Sequence, residues 1–194
     1  MNGSAEDSRM TIKAFIGWST GLEGPRRWDL HDGRPARRPT SWVADALVRG
    51  ELLGQLHDAL WDDPVHEVLG SGPLLVTGPA TAVEPHLMVV PWGVQDPDAY
   101  VLRDSVVVVE VPRADNCAEH WLPRLAAHAA LPTMRHVVAV HPIARVALHL
   151  RCPPGGADGG PATTVASGLP QARLLRGGRV ALNPLPVMLD LDAA

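Results

Sequence analysis

The stretch Val106-Val107-Val108-Val109-Glu110-Val111-Pro112 decides how this chain is read. Consecutive valines supply apolar side chains to both faces of a pleat, which predicts a strand buried on both sides at the centre of a sheet. A carboxylate in that setting is costly unless it is paired, hydrogen-bonded or holding a cation. Pro112 stops the strand, so Glu110 falls at its carboxyl end, where open α/β sheets present ligand sites. Glu110 is therefore the first candidate for chemistry. The plainer alternative is an acid at a strand end that reaches water or accepts backbone N–H groups.

Outward from this strand the pattern alternates between helices and strands. Thr11–Trp18 reads as a short helix with Ile12, Phe15 and Ile16 on one face. Asp32-Gly33 is a hairpin-turn signal joining strands at Trp28–Leu30 and Arg34–Arg37. A long helix runs from Thr40 or Ser41, as cap, to about Trp61, with Val43, Ala46, Leu47, Leu53, Leu56 and Leu60 as its apolar stripe and Asp45 as an exposed acid of the first turn. Strands follow at His66–Leu69, Leu74–Thr77, Leu87–Val90 and Ser105–Val111. A second helix spans about Asn116 to Leu131, where Asn116 and Glu119 have capping-box spacing. His136–Val140 and Arg145–Leu150 read as strands turning at His141-Pro142, residues 153–161 as a loop, and Val180–Leu182 and Val187–Leu191 as two short strands or extended segments. This order predicts a single α/β domain over residues 1–194, with a central mixed sheet flanked by helices and a flexible stretch at residues 1–10.

Bulk properties narrow the function. A chain of 194 residues can bury a real core, and its net charge of −4 argues against coating nucleic acid over the whole surface. Basic charge is local: Arg26, Arg27, Arg34, Arg37 and Arg38 cluster around Glu23, Asp29 and Asp32. Such a cluster can contact phosphates or form a solvated loop face. Two cysteines, Cys117 and Cys152, cannot build a disulfide framework or a zinc knuckle. The polar start, without an apolar signal core or any run long enough for a membrane span, predicts a cytoplasmic protein with no membrane partner. Lys13 is the only lysine, so the positive charge is almost all arginine, which stabilises charge but cannot act as a general base.

Several segments, in order, carry a resemblance to one family. WDLHDGRPA (28–36) is similar to an opening W-E-L-x-D-G hairpin, VEPHLMVV (83–90) to an E-P-D strand, and SVVVVEVPRADN (105–116) to a V-V-E-V segment. PRLAAHAALPTMRHVVAVHP (123–142) is similar to a K-L-x-x-Y helix–strand unit, and VMLDL (187–191) to a closing strand. Together they resemble the Uma-two-like endonucleases, a branch of the PD-(D/E)XK superfamily. The resemblance implies a restriction-endonuclease-like fold and hydrolysis of DNA phosphodiesters with Mg²⁺ or Mn²⁺. In such sites carboxylates hold the ion while a lysine assists.

Residue by residue, the resemblance makes Glu110 the metal-binding glutamate and matches Glu84 to the glutamate of the E-P-D strand. The aspartate of that strand is His86 here, the helix lysine is Arg124, and the following tyrosine is His128. The implied catalytic group is Glu110, His86 and Arg124, and the implied metal group is Glu110, His86 and Glu84. Arg26, Arg27, Arg37 and Arg38 are the candidates for contacting nucleic acid. Imidazole suits Mn²⁺ or Zn²⁺ better than Mg²⁺, and arginine cannot take a proton. Taken alone, His86 also reads as a hydrogen-bonded strand-end histidine, and Arg124 with His120 and His128 as a solvated helix face. Two functions of different classes thus stay open. One is a metal-dependent DNA endonuclease with a degraded site. The other is a catalytically inactive nuclease-fold protein that binds nucleic acid or a protein partner. The resemblance also offers a homodimer as an assembly, although no stretch marks an interface.

Overall fold

The computed structural model describes residues 9–22, 27–38, 41–93, 99–112, 118–153 and 171–194, the first three residues of the last helix by backbone only. Most of the 1–10 stretch, Arg26, Thr40, the Asn116 cap, Cys117, the His120 side chain and most of the 153–161 loop lie outside the described residues.

Helix α1 (Ile12–Thr20) starts where Thr11 Oγ1 accepts the Ala14 N–H at 3.2 Å. It buries Phe15 over β1 (Trp28–His31), with Ile12 and Ile16 partly buried beside it, as the spacing predicts. The hairpin to β2 (Arg34–Arg37) turns on Asp32 and Gly33, both with positive φ, at 48° and 80°. Two successive positive-φ positions match the right-handed twist of the strands, hence Asp-Gly. A side chain at position 33 would also crowd Met10 O, which lies 3.1 Å from where its Cβ would sit.

Helix α2 (Val43–Ala59) keeps the C-terminal half of the expected stripe, with Leu56 and the following Leu60 buried and Leu53 partly so, and departs from it in the N-terminal half. Trp42 directly precedes it, in place of the expected cap at Thr40 or Ser41, and its N–H donates to the Asp45 carboxylate at 2.8 Å. The buried face runs Asp45, Val48, Leu52 and Leu56, while Val43 and Leu47 are 77% and 69% exposed. The spacing of 3, 4 and 4 is as helical as the predicted one. What rotates the helix is the surface it covers, namely β3 (His66–Gly70) and the C-terminal hairpin. Asp45 is consequently buried, not an exposed first-turn acid.

The remaining strands are β4 (Leu74–Gly78), β5 (Thr81–Val83), β6 (Leu87–Pro91), β7 (Val101–Leu102) and β8 (Val107–Glu110). Helix α3 (Ala118–Ala129) leads to β9 (His136–Val140), β10 (Val146–Arg151), β11 (Gln171–Arg176), β12 (Arg179–Ala181) and β13 (Met188–Asp190). One sheet has the order β2-β1-β5-β4-β7, a second β11-β10-β9-β8-β6-β3, and β12-β13 form a hairpin. β5 and β7, of three and two residues, and β11 are strands the periodicity does not predict. The first two are too short to show a pattern, and β11 is an exposed edge strand defined by its pairing with β10.

β8 sits inside the six-stranded sheet, antiparallel to β6 and parallel to β9. Val107 and Val109 enter a core shared with Leu52, Leu56, Leu182 and Leu189. Val108 enters the opposite core with Met88, Val137 and Leu125 of α3. The valine run therefore does serve two cores, and the period of two sends Glu110 to the same face as Val108. That is the face α3 covers, and α3 also packs against β4 and β5 of the other sheet. Glu110 thus emerges at the seam between the two large sheets.

Candidate functional site

Five segments meet at this seam. Asp29 comes from β1, Glu84 follows β5, His86 precedes β6, Glu110 ends β8, and Arg124 and His128 lie one helical turn apart on α3. All six are buried, Glu110 and His128 completely. The inward stripe of α3 is Trp121, Arg124, Leu125 and His128, at spacings of 3, 1 and 3. Arg124 and His128 therefore form no solvated face, because the sheet seam turns them inward.

Glu110 is fully engaged. Its Oε1 accepts from Arg124 Nη2 at 2.7 Å and from His128 Nε2 at 2.8 Å, and its Oε2 contacts His86 Nδ1. The Val111 N–H lies 3.2 Å from that same Nδ1, which places the ring beside the strand end. Arg124 Nη1 reaches Asp29 Oδ2, and its Nη2 also donates to Glu84 O at 2.9 Å. One guanidinium therefore bridges two carboxylates and a carbonyl, which is the geometry arginine's planar fork favours. Asp29 Oδ1 in turn accepts the Glu84 N–H at 2.9 Å. The Trp121 ring stacks on His86 at 6.2 Å between centroids and lies 5.7 Å from the Arg124 guanidinium carbon, closing the cluster from the α3 side.

The Glu84 carboxylate faces other partners. Oε1 lies 3.1 Å from Arg27 Nη1, and Oε2 lies 2.6 Å from Arg38 Nη1. Arg38 is thus held in a buried ion pair, Arg27 is half exposed in another, and Arg37 is exposed at the end of β2. Glu84 joins the Glu110 group through its carbonyl, not its acid.

Protonation follows from these contacts. Burial alone would raise the Glu110 carboxyl, but the His86 charge and hydrogen bonds from His128 and His86 outweigh it and hold the carboxyl at about 2. Burial lowers Arg124 to about 9, which still leaves a cation at neutral pH. Burial also lowers His128, against the pull of Glu110, so its neutral ring donates from Nε2. Three carboxylates, Asp29, Glu84 and Glu110, meet three guanidiniums, Arg27, Arg38 and Arg124, before either histidine is counted.

This donor set does not fit Mg²⁺. That ion takes near-octahedral oxygen ligands at roughly 2.0–2.1 Å. Both oxygens of Glu110 and of Asp29 already accept from nitrogen donors, and Glu84 is turned to its arginines. A divalent ion would enter a charge-balanced cluster beside a buried guanidinium. Among the described residues no three His, Cys, Asp or Glu side chains gather so as to hold a metal ion.

The sequence singles out Glu110, His86, Arg124 and Glu84, and the fold brings all four to one seam. Sequence patterns leave Asp29 to the hairpin and do not place Trp121. The signal for Trp121 lies in its helical spacing to Arg124, whereas nothing local links Asp29 to Arg124, 95 residues away.

No family model matches the chain. No curated protein matches it either. Among solved structures, it is similar to a "putative nuclease belonging to DUF820" from Anabaena variabilis, with a TM-score of 0.72 over 95% of this chain and 96% of that one, at 10% identity. At that identity the likeness speaks for the fold. The chain has the α/β fold of that protein, the class of fold that the Uma-two-like resemblance implies. No helix among the described residues is long and apolar enough to cross a membrane.

Proposed function

We propose that this chain is a nuclease-fold protein that binds nucleic acid without metal-dependent cleavage. The observation that carries this reading is the Arg124 guanidinium between Glu110 and Asp29. It supplies the positive charge that a metal-dependent nuclease would draw from its ion. It cannot polarise and deprotonate a bound water as a divalent ion does. The exposed Arg37 and half-exposed Arg27 on the hairpin beside the cluster offer contacts to phosphates. A metal-dependent DNA endonuclease is the second reading, favoured by the contact of His86 with Glu110, since an imidazole and a carboxylate together suit Mn²⁺ or Zn²⁺.

Plasmid cleavage with Mg²⁺ and then Mn²⁺, comparing wild type with Glu110→Ala, separates the two. The expected result is no Glu110-dependent cleavage and no heat of metal binding by calorimetry. In the same assay the double variant His86→Asp/Arg124→Lys is expected to acquire metal binding, because a carboxylate returns and the bridging fork is lost. Cleavage by the wild type that disappears in Glu110→Ala would overturn the proposal. DNA affinity is expected to fall steeply with salt and to weaken in Arg27→Ala/Arg37→Ala.

A further inference from the structure

A second charged site lies far from Glu110. A cleft of about 430 Å³ opens between the β10–β11 edge of the six-stranded sheet and the β12–β13 hairpin, lined by His136, His149, Arg151, Gln171, Arg173 and Arg179 among others. Strand register explains the gathering. Arg151 is paired with His136 on one side and Gln171 on the other, and His149 is paired with Arg173. These residues project on the face that carries Val138 and Ala147, the face opposite Glu110. His136 is opposite Val107, at the start of β8, whereas Glu110 is at its end. The cleft and the Glu110 cluster therefore occupy different faces and different ends of one sheet.

The floor of the cleft is polar and ordered. His136 Nε2 lies 2.8 Å from Asn183 O, which can only accept, so that nitrogen carries the proton. The neutral His136 ring then accepts at Nδ1 from His149 Nε2–H, 2.9 Å away. Burial lowers both rings, His149 to about 4 with help from His136, Arg173 and Arg151, so neither adds charge at neutral pH. The positive charge comes from Arg151, Arg173 and Arg179. Among the described residues no acid lines the cleft. Asp190 pairs with Arg179 from outside at 3.4 Å, which leaves Arg151 and Arg173 without an acidic neighbour in the lining.

Two exposed guanidiniums are placed on one face by strand register, over a neutral polar floor and with no lining acid among the described residues, so together they offer positive charge to an incoming anion. We propose that this cleft binds a phosphate group, carried by a nucleotide or by a nucleic-acid backbone, through Arg151 and Arg173. Guanidinium forks match phosphate oxygens bidentately, and the volume accommodates a ligand of nucleotide size. The proposal does not rest on whether the Glu110 cluster cuts.

Calorimetry in the presence of a chelator tests it with three probes on the full chain: inorganic phosphate, adenosine monophosphate and a twelve-nucleotide single strand. Wild type is expected to bind at least one of them, and Arg151→Ala/Arg173→Ala to bind it at least ten-fold more weakly. Arg176→Ala removes the same charge from the other face of β11 and is expected to leave affinity unchanged. Comparable affinity for the mononucleotide and the strand identifies a small phosphorylated ligand. Binding of the strand alone, falling steeply with salt, identifies a backbone. Should the double variant melt early, the edge-strand substitution Arg173→Gln carries the comparison. No heat with any probe, or equal affinity in wild type and in the variants at Arg151 and Arg173, overturns the site. A chelator removes metal from the question, so that failure leaves the reading of Glu110 untouched.

Discussion

Arg124 is the residue on which the seam depends. It is buried and touches Asp29, Glu110 and the Glu84 carbonyl at once, while its Nε and His128 Nδ1 have no hydrogen-bond partner among the described residues. Removing one member of a buried ionic group leaves the others uncompensated, at about 3–5 kcal/mol. Arg124→Met is expected to lower the unfolding free energy by that amount in denaturant titrations, and Arg124→Lys by less, because a cation remains without the fork. Glu110 makes a separate prediction. Its carboxyl lies at about 2 when folded against an ordinary value of 4.5, so its contribution is fully present above pH 4.5 and lost as pH falls toward 2. The stability difference between wild type and Glu110→Gln is therefore expected to be largest near neutrality and to shrink through that window, as followed by denaturation at several pH values. A constant difference from pH 3 to 7 would contradict this picture of the buried acid.

At the scale of elements, α2 shows where periodicity alone stops. Of the stripe read from the sequence, Leu56 and Leu60 are buried and Leu53 partly so, whereas Val43, Ala46 and Leu47 lie off the buried face, which runs Asp45-Val48-Leu52-Leu56. Leu52→Ala is expected to cost about 2–5 kcal/mol, as for other buried leucines, whereas Val43→Ala should stay within about 0.5 kcal/mol, as for exposed sites. Asp45→Ala removes the acceptor of the Trp42 N–H at the helix start, which is expected to cost about 1 kcal/mol. Thermal and chemical unfolding of these three variants would rank Leu52→Ala as the most costly and Val43→Ala as the least. The opposite ranking of Val43 and Leu52 would restore the sequence-based stripe. In α3 the same lesson holds: the i, i+4 pair Arg124 and His128 is visible in the sequence, but not that it points inward.

At the scale of the molecule, the cores meet on the two faces of the six-stranded sheet, and the C-terminal hairpin completes one of them. Leu182, Leu185, Val187, Leu189 and Leu191 pack with Val107 and Val109. Ending the chain at Gly177 would expose the face of the central strands, and a truncated chain is expected to lose its cooperative thermal transition. A retained sharp transition would show that α2 alone covers that face. The hairpin also forms a wall of the basic cleft, so the same segment joins stability to the proposed phosphate site.

The valine strand, the Asp-Gly hairpin, the long helix ending near Trp61 and the placing of Glu110 at a strand end are all local, and the sequence by itself determined them. Short-range sterics, a period of two and the behaviour of proline suffice for that. Tertiary structure decided the rest. It chose which stripe of α2 is buried, made strands of three short or polar segments, and set Asp29 against Arg124. It also turned the Glu84 carboxylate away from Glu110 and gathered Arg151 and Arg173 over two histidines. These outcomes depend on packing between elements and on cross-strand register. Charges distant in sequence balance only once the sheets are paired, so no local pattern encodes them.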